Sequence, residues 1–180
     1  GSQGTLYAFF KQPGDAGTVK KWDGINWASI GDEEFTLTNI FDLQIKVLGD
    51  DNPVVAYKSI SGGEKINVKY FNGSDWINDG FTNGIFTEHD KDYSLDVSSN
   101  DGIYLTYYNE HGTVGNTGNL MTVTLGAGTV TQYGGDIAYD DNDNYFDDVL
   151  GTFIDDDENT WLEYGEHDTG SGGTYLKTKN

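Results

Sequence analysis

The sequence predicts an all-β chain folded as a β-propeller of about four short four-stranded blades. The first observation is a repeat, because KKWDGINWASIG at 20–31 returns as KYFNGSDWINDG at 69–80, which places the second Trp 49 residues after the first (76 minus 27). A fixed period in this range is typical of repeat architectures. The second observation is a series of short apolar runs separated by Gly, Asn and Asp. An antiparallel sandwich or jelly roll is the alternative fold.

The first half of the chain contains two repeat units, at about 5–31 and 42–80. Alternation of apolar and polar residues predicts the strands, as at 43–47, where every second residue is apolar. Asp23-Gly24 and Asn72-Gly73 are strong hairpin signals, since Gly accepts positive φ and Asp or Asn supports the turn. The predicted strands are 5–10, 18–22, 27–30, 41–47, 53–57, 65–71 and 76–79.

The second half contains two further units, at about 92–135 and 148–178. Their predicted strands are 93–97, 103–108, 120–125, 129–133, 149–154, 161–164 and 174–177. We place Phe9, Tyr57, Tyr107 and Tyr164 at equivalent positions of the four units. The units then have three, four, four and three strands, and we expect no helix. Residues 1–3 are expected to be a disordered cloning remnant and 4–180 a single domain.

The pattern K-x-[WF]-[DN]-G-x-x-W-x-x-x-G, followed by the strand Val55-Ala56-Tyr57, resembles the blade repeat of secreted bacterial β-propellers. It is distantly similar to the Asp-box of sialidase-type propellers. The resemblance covers 5–135 well and 148–178 by spacing. It implies binding or adhesion outside the cell or at its surface. Such blades usually form rings of six to eight, so this shorter chain closes a four-bladed ring, belongs to a larger one, or assembles with copies of itself.

The charge of the chain excludes several partners. The net charge is −20, with no Arg among its 10 basic residues. Such a charge disfavours nucleic acid and anionic membrane and favours cations, although it also serves plain solubility. No Cys is present, so disulfides and thiol chemistry are excluded. No apolar run approaches the ~18 residues of a membrane-spanning helix, so we expect no insertion into a membrane.

An acidic run between the third and fourth units is the most distinctive unrepeated feature. Calcium takes six to eight oxygen ligands, and carboxylates two residues apart on a bent loop converge on one ion. We predict a calcium site formed by Asp141, Asp143, Asp147 and Asp148. The run does not match an EF-hand loop. A solvated acidic loop is the alternative.

The same rim of a propeller would gather the histidines, since connections between blades and loops between second and third strands open on one face. The predicted ligand-binding residues there are His89, Glu110, His111, Tyr145, Glu166 and His167. No two His have a short metal-ligand spacing. Each is otherwise an ordinary surface residue. Trp27 and Trp76 recur within the repeat, so we expect them to be structural.

The function predicted from the sequence is a non-catalytic extracellular module that binds a neutral glycan or a surface protein, stabilised by calcium. Catalysis is not expected, because the chain lacks Cys, a G-x-S-x-G nucleophile elbow and a phosphate-binding loop. The first alternative is a self-assembling surface or filament subunit, a homo-oligomer joined through open strand edges. A glycoside hydrolase or lyase is the third hypothesis, because 30 acidic residues offer many carboxylate pairs.

Overall fold

In the residues that it describes, the structure, a computed structural model, contains sixteen β-strands, β1 to β16 in chain order. It describes residues 4–61, 65–78, 85–86, 93–109, 119–126, 129–132, 138–139, 144–155, 157, 159–168 and 173–179. No helix in these ranges is long and apolar enough to cross a membrane. The chain divides into two compact units, Gly1–Ile85 and Phe86–Asn180.

The first unit contains two antiparallel sheets. The first sheet has the order β1-β2-β3, and the second has the order β4-β5-β6-β7, with β8 paired to β6. Along the path β1-β2-β3 and along the path β4-β5-β6-β7, each strand therefore lies next to the strand that follows it in the chain, as in a meander. The bounds are β1 Leu6–Lys11, β2 Gly17–Trp22, β3 Trp27–Ser29, β4 Ile40–Val47, β5 Pro53–Ser59, β6 Lys65–Phe71, β7 Trp76–Asn78 and β8 Ile85–Phe86.

The second unit also contains two antiparallel sheets. The third sheet of the chain has the order β9-β10-β11-β12, with β13 paired to β11, and the fourth has the order β14-β15-β16. The bounds are β9 Tyr93–Val97, β10 Ile103–Asn109, β11 Asn119–Gly126, β12 Thr129–Gln132, β13 Ala138–Tyr139, β14 Asn144–Ile154, β15 Thr160–Asp168 and β16 Gly173–Lys179.

The prediction of an all-β chain is confirmed, since its ordered elements form four small antiparallel sheets. The main paths of these sheets have three, four, four and three strands. The short strands β8 and β13 were not predicted, because two residues are too few to show alternation. The start of β14 also lies earlier than predicted, within the acidic run.

The repeated hairpin has the same turn geometry in both copies. Asp23 Oδ1 accepts the backbone N–H groups of Ile25 and Asn26, at 2.8 and 2.7 Å. In the second copy, Asn72 Oδ1 accepts those of the residues two and three positions later, at 2.9 and 2.8 Å. Gly24 and Gly73 have φ of 100° and 95°, which glycine adopts without strain. The repeat therefore encodes a hairpin.

The registers give the correct alignment of the first two sheets. Trp22 pairs with Trp27 and Phe71 pairs with Trp76. Four residues before Trp22, Thr18 pairs with Phe10, whereas four residues before Phe71, Asn67 pairs with Tyr57. Phe10, not Phe9, is thus the equivalent of Tyr57. The alignment predicted from sequence was one residue out, and in a strand one residue moves a side chain to the opposite face.

The first sheet packs against the second within the first unit. Phe9 lies on β1 with its ring centroid 6.3 Å from that of Tyr57 on β5. Phe35, in the connection between the sheets, stacks on Trp76 with centroids 4.0 Å apart. The Trp76 indole donates a hydrogen bond to the Ile30 carbonyl at 3.0 Å. Apolar residues of β5 and β6 form the core beneath, including Val54, Val55, Ala56, Ile66 and Val68.

In the second unit, two buried side chains of β9 accept hydrogen bonds from the fourth sheet and so connect it to the third sheet. Ser94 Oγ accepts the backbone N–H of Thr152, and Asp96 Oδ2 accepts that of Ile154, each at 2.8 Å. Both donors lie on β14. A buried carboxylate is costly unless it is hydrogen-bonded, so these contacts account for the burial of Asp96.

Candidate functional site

The most unusual backbone geometry within a strand lies at the start of β4. The register steps from Phe41↔Lys58 to Gln44↔Ala56, so β4 has one residue more than β5 across this interval, which is a β-bulge. Asp42 lies in the bulge with φ of 48°. Of the non-glycine residues with positive φ in the described ranges, Asp42 alone lies within a strand. Left-handed backbone at a non-glycine residue is uncommon and often marks a functional position.

A buried lysine lies beside this bulge. Lys58 belongs to β5, whose residues are all buried, and its side chain is only 1% exposed. Its Nζ lies 2.6 Å from Asp42 Oδ2 and 5.8 Å from the centroid of the Phe41 ring. A buried ammonium is costly unless it is paired, so Asp42 supplies the charge that offsets it. The Asp42 side chain is 42% exposed, so this fixed carboxylate also faces solvent.

The last sheet has the same kind of bulge. The register of β14 with β15 steps from Phe146↔Glu166 to Val149↔Tyr164, which again leaves one extra residue on the first strand of the sheet. The sequence is Phe-Asp at both bulges, at 41–42 and at 146–147. The register of β14 shifts a second time between Val149 and Gly151, so this strand carries two irregularities where β4 carries one.

Three of the six predicted ligand-binding residues lie in the part of the chain that the structure describes. His89, Glu110 and His111 lie outside the described residues. The other three lie in strands, because the ladder extends from Ile154↔Thr160 to Asn144↔Asp168. In this ladder Tyr145 pairs with His167, and Glu166 pairs with Phe146. The placement of Glu166 and His167 in a loop was therefore wrong, although their role as ligands stays a prediction.

The predicted calcium ligands are divided in the same way. Asp141 and Asp143 lie outside the described residues. Asp147 and Asp148 lie at the bulge of β14 and not in a loop, because this strand begins at Asn144. In the part of the chain that the structure describes, no group of three or more His, Cys, Asp or Glu residues is placed to hold a metal ion. The calcium site stays a prediction.

A second polar cluster on the first unit is exposed and structural. Asp51, in the turn between β4 and β5, accepts hydrogen bonds from Thr5 Oγ1 at 3.1 Å and Lys21 Nζ at 2.8 Å, and its carbonyl accepts one from Tyr7 at 2.6 Å. The contact with Lys21 lowers the pKa of Asp51 below its ordinary value. These bonds attach the first sheet to the second. They provide a matched comparison for Asp42, because Asp51 is also a lysine-paired aspartate with positive φ.

No family model and no curated protein matches the chain. The fold is similar to the crystal structure of an exo-1,5-α-L-arabinanase from a bovine ruminal metagenomic library, with a TM-score of 0.36, 10% identity, and coverage of 100% of this chain and 91% of that one. At this TM-score the likeness carries no argument about a shared activity. The resemblance to secreted propellers and the extracellular localisation stay predictions.

The expectation of a non-catalytic binding module is corrected: the solved structure to which the fold is similar is that of an arabinanase, and the expectation is not kept. It rested on the absence of nucleophile and phosphate-binding motifs. Carboxylate chemistry needs no such motif, so their absence did not bear on it.

Sequence reasoning missed Asp42 and Lys58. Two signals were available: the dipeptide Phe-Asp, which occurs both in β4 and in β14, and a lysine inside the largely apolar run of β5. A charged residue within a fully buried strand requires a partner. The sequence could have indicated that a pair exists, but the bulge that makes Asp42 its partner is visible only in the register.

Proposed function

We propose that the four sheets are blades of a β-propeller and that the chain hydrolyses glycosidic bonds of a neutral polysaccharide, with Asp42 as a reacting carboxylate. The observation that carries the proposal is the bulge carboxylate, held by the buried Lys58 and half open to solvent. The meander order of each sheet favours blades over a sandwich. The proposal replaces the expectation of a chain without catalytic activity.

The geometry suits a reacting group that must be held in place. Lys58 Nζ lies 2.6 Å from one carboxylate oxygen of Asp42, and this contact restricts the rotation of the side chain. Bulges are over-represented next to active sites because they redirect one side chain without disturbing the rest of the strand. Asp42 would act as nucleophile or as the base that activates water, and Lys58 as a positioning residue.

The substrate class follows from charge. With a net charge of −20 and no Arg, the chain repels anionic substrates and has no bidentate holder for phosphate or carboxylate. An uncharged glycan avoids both problems. In the reaction, the bond between the anomeric carbon and the glycosidic oxygen breaks, and the oxygen of water bonds to the anomeric carbon. A second carboxyl group gives its proton to the leaving oxygen, and the proton that water releases goes to a carboxylate of the pair, so the proton count is restored. An amide scan of the other acidic residues would identify that second carboxyl group.

The experiment measures release of reducing ends from a panel of neutral polysaccharides. We expect Asp42→Asn to lower kcat by about 10²–10⁴-fold, the usual contribution of a positioned acid or base. Asp51→Asn is the control, because it makes the same change at an aspartate that is also paired with lysine and also has positive φ. The control should keep wild-type kcat. No turnover by the wild type on any member of the panel, or equal turnover by Asp42→Asn, would refute the proposal.

A further inference from the structure

The repeat defines two kinds of sheet face. We name the leading face as the one that carries Trp27 in the first sheet and Trp76 in the second, and the trailing face as its opposite. The leading face of the second sheet is covered by the first: Trp76 stacks on Phe35 and donates to the Ile30 carbonyl. A Cβ on Gly31 would lie only 3.0 Å from Trp76. The trailing face of one sheet thus meets the leading face of the next.

The leading face of the first sheet is instead exposed. Leu6, Trp22 and Trp27 form one cross-strand row on this face, with Leu6 paired to Trp22 and Trp22 to Trp27. Leu6 is 59% exposed and Trp27 45%. The two indoles pack on each other with centroids 5.5 Å apart. Trp76 occupies the position in the second sheet that Trp27 occupies in the first, and Trp76 is covered by the first sheet. The exposed row therefore resembles in composition the row that is covered in the second sheet.

The fourth sheet exposes the complementary face. Thr152, Ile154 and Leu162 are buried on one side of it, and β14 contacts β9 and β10 of the third sheet. The buried side meets the preceding sheet, as the leading face of the second sheet does, so we take it as the leading face of the fourth sheet. The opposite side, the trailing face, carries Phe153 and Trp161, a cross-strand pair that is 60% and 39% exposed. These two aromatic residues line an open hollow of about 360 Å³ beside Gly151. The first unit therefore has an exposed leading face on its first sheet, and the second unit has an exposed trailing face on its last sheet.

We propose that copies of this chain associate head to tail, with the Phe153–Trp161 face of one copy on the Leu6–Trp22–Trp27 face of the next. The contact repeats the way in which the first sheet packs on the second, trailing face to leading face. It also pairs opposite charges, since Lys20 lies on the leading face and Glu163 on the trailing face. Such an interface is heterologous, so each copy uses two different surfaces.

The net charge gives the association a distinctive salt dependence. Each copy carries −20, so copies repel one another over distances of about 10 Å at ~0.1 M salt and less at higher salt. An apolar contact between such copies should strengthen as salt is added. We expect the dissociation constant from sedimentation equilibrium to fall at least ~3-fold between about 0.05 M and about 0.5 M NaCl. A constant that rises with salt would contradict an aromatic interface.

The decisive test uses two half-blocked variants. Trp27→Glu disables the leading face and Phe153→Glu the trailing face; each alone should be monomeric by light scattering, with at least a ~10-fold weaker dissociation constant. Mixed one to one, they should form a dimer, because each retains the face that the other lacks. Leu37→Glu is the control, since Leu37 is also 45% exposed and the charge change is the same. It should associate as the wild type does.

The contradicting results are equally specific. A wild type that stays monomeric at every concentration and salt would overturn the proposal, as would a Trp27→Glu variant that associates undiminished. A mixture of the two variants that stays monomeric, while far-UV circular dichroism shows both to be folded, would also overturn it. If Phe153→Glu still forms dimers alone, the interface is isologous and the head-to-tail arrangement is wrong.

Discussion

Changing Asp42 to Asn removes the negative charge beside Lys58 and almost preserves the shape of the side chain. Asn also tolerates the positive φ of this position, so the variant isolates the charge. Lys58 is 1% exposed, and removing one partner of a fully buried pair costs about 3–5 kcal/mol. Because Asp42 is 42% exposed, water reaches its end of the pair, and we expect a smaller loss of about 2 kcal/mol.

The reverse change should cost less. Lys58→Met removes the buried charge, keeps most of the buried chain, and leaves a carboxylate that water can hydrate. We expect a loss of about 1 kcal/mol or less for Lys58→Met and a similar loss for the double variant. Urea unfolding followed by tryptophan fluorescence measures the three values, because three of the four tryptophans lie in the first unit. Two results would contradict the claim that Asp42 offsets the buried charge of Lys58. One is an equal loss of unfolding free energy in the two single variants, and the other is a loss in the double variant that equals the sum of the two.

Three further predictions concern packing and pH. Gly17→Ala should lower the free energy of unfolding by about 1–3 kcal/mol, measured with urea, because the added Cβ would lie 2.6 Å from the Phe9 side chain. A Cβ on Gly151 would have nothing within 4 Å, so Gly151→Ala should change the same free energy by less than ~0.5 kcal/mol. Trp76→Ala should cost about 3 kcal/mol and the exposed Trp27→Ala about 1, although both occupy the same repeat position. Burial raises the pKa of Tyr57 to about 12. The contribution of the neutral, buried Tyr57 to the free energy of unfolding is therefore complete below pH ~10 and is lost as the pH rises toward 12. In Tyr57→Phe, the free energy of unfolding should not show this decrease between pH ~10 and 12.

Much of the fold could be predicted from the sequence because the elements are locally encoded. Alternation and the Asp-Gly and Asn-Gly turns predict the strands, and bounds such as Lys65–Phe71 and Tyr93–Val97 match the structure. The repeat predicts which strands belong together. What local pattern does not encode is register. Placing Phe9 rather than Phe10 opposite Tyr57 is a shift of one residue, yet it reverses which face of the first sheet is buried.

The candidate site was missed for the same reason. Alternation in β4 reads cleanly from Leu43 onward, so the bulge just before it leaves no trace in the apolar pattern. The acidic run and the histidines placed the predicted sites in long loops. In the structure Glu166 and His167 are strand residues, because the β14–β15 ladder extends farther than its apolar part. Polar strand ends are indistinguishable from loops when only the apolar period is counted.

Chemical rescue of an Asp42→Gly variant tests the central claim most directly. Glycine adopts the φ of 48° without strain and leaves a space where the carboxylate was. If Asp42 supplies the reacting carboxylate, added formate should restore polysaccharide turnover to this variant in a saturable manner, and it should not accelerate the wild type. A folded Asp42→Gly variant that hydrolyses the substrate as fast as the wild type without formate would contradict the claim, as would an inactive variant that formate does not rescue at any concentration.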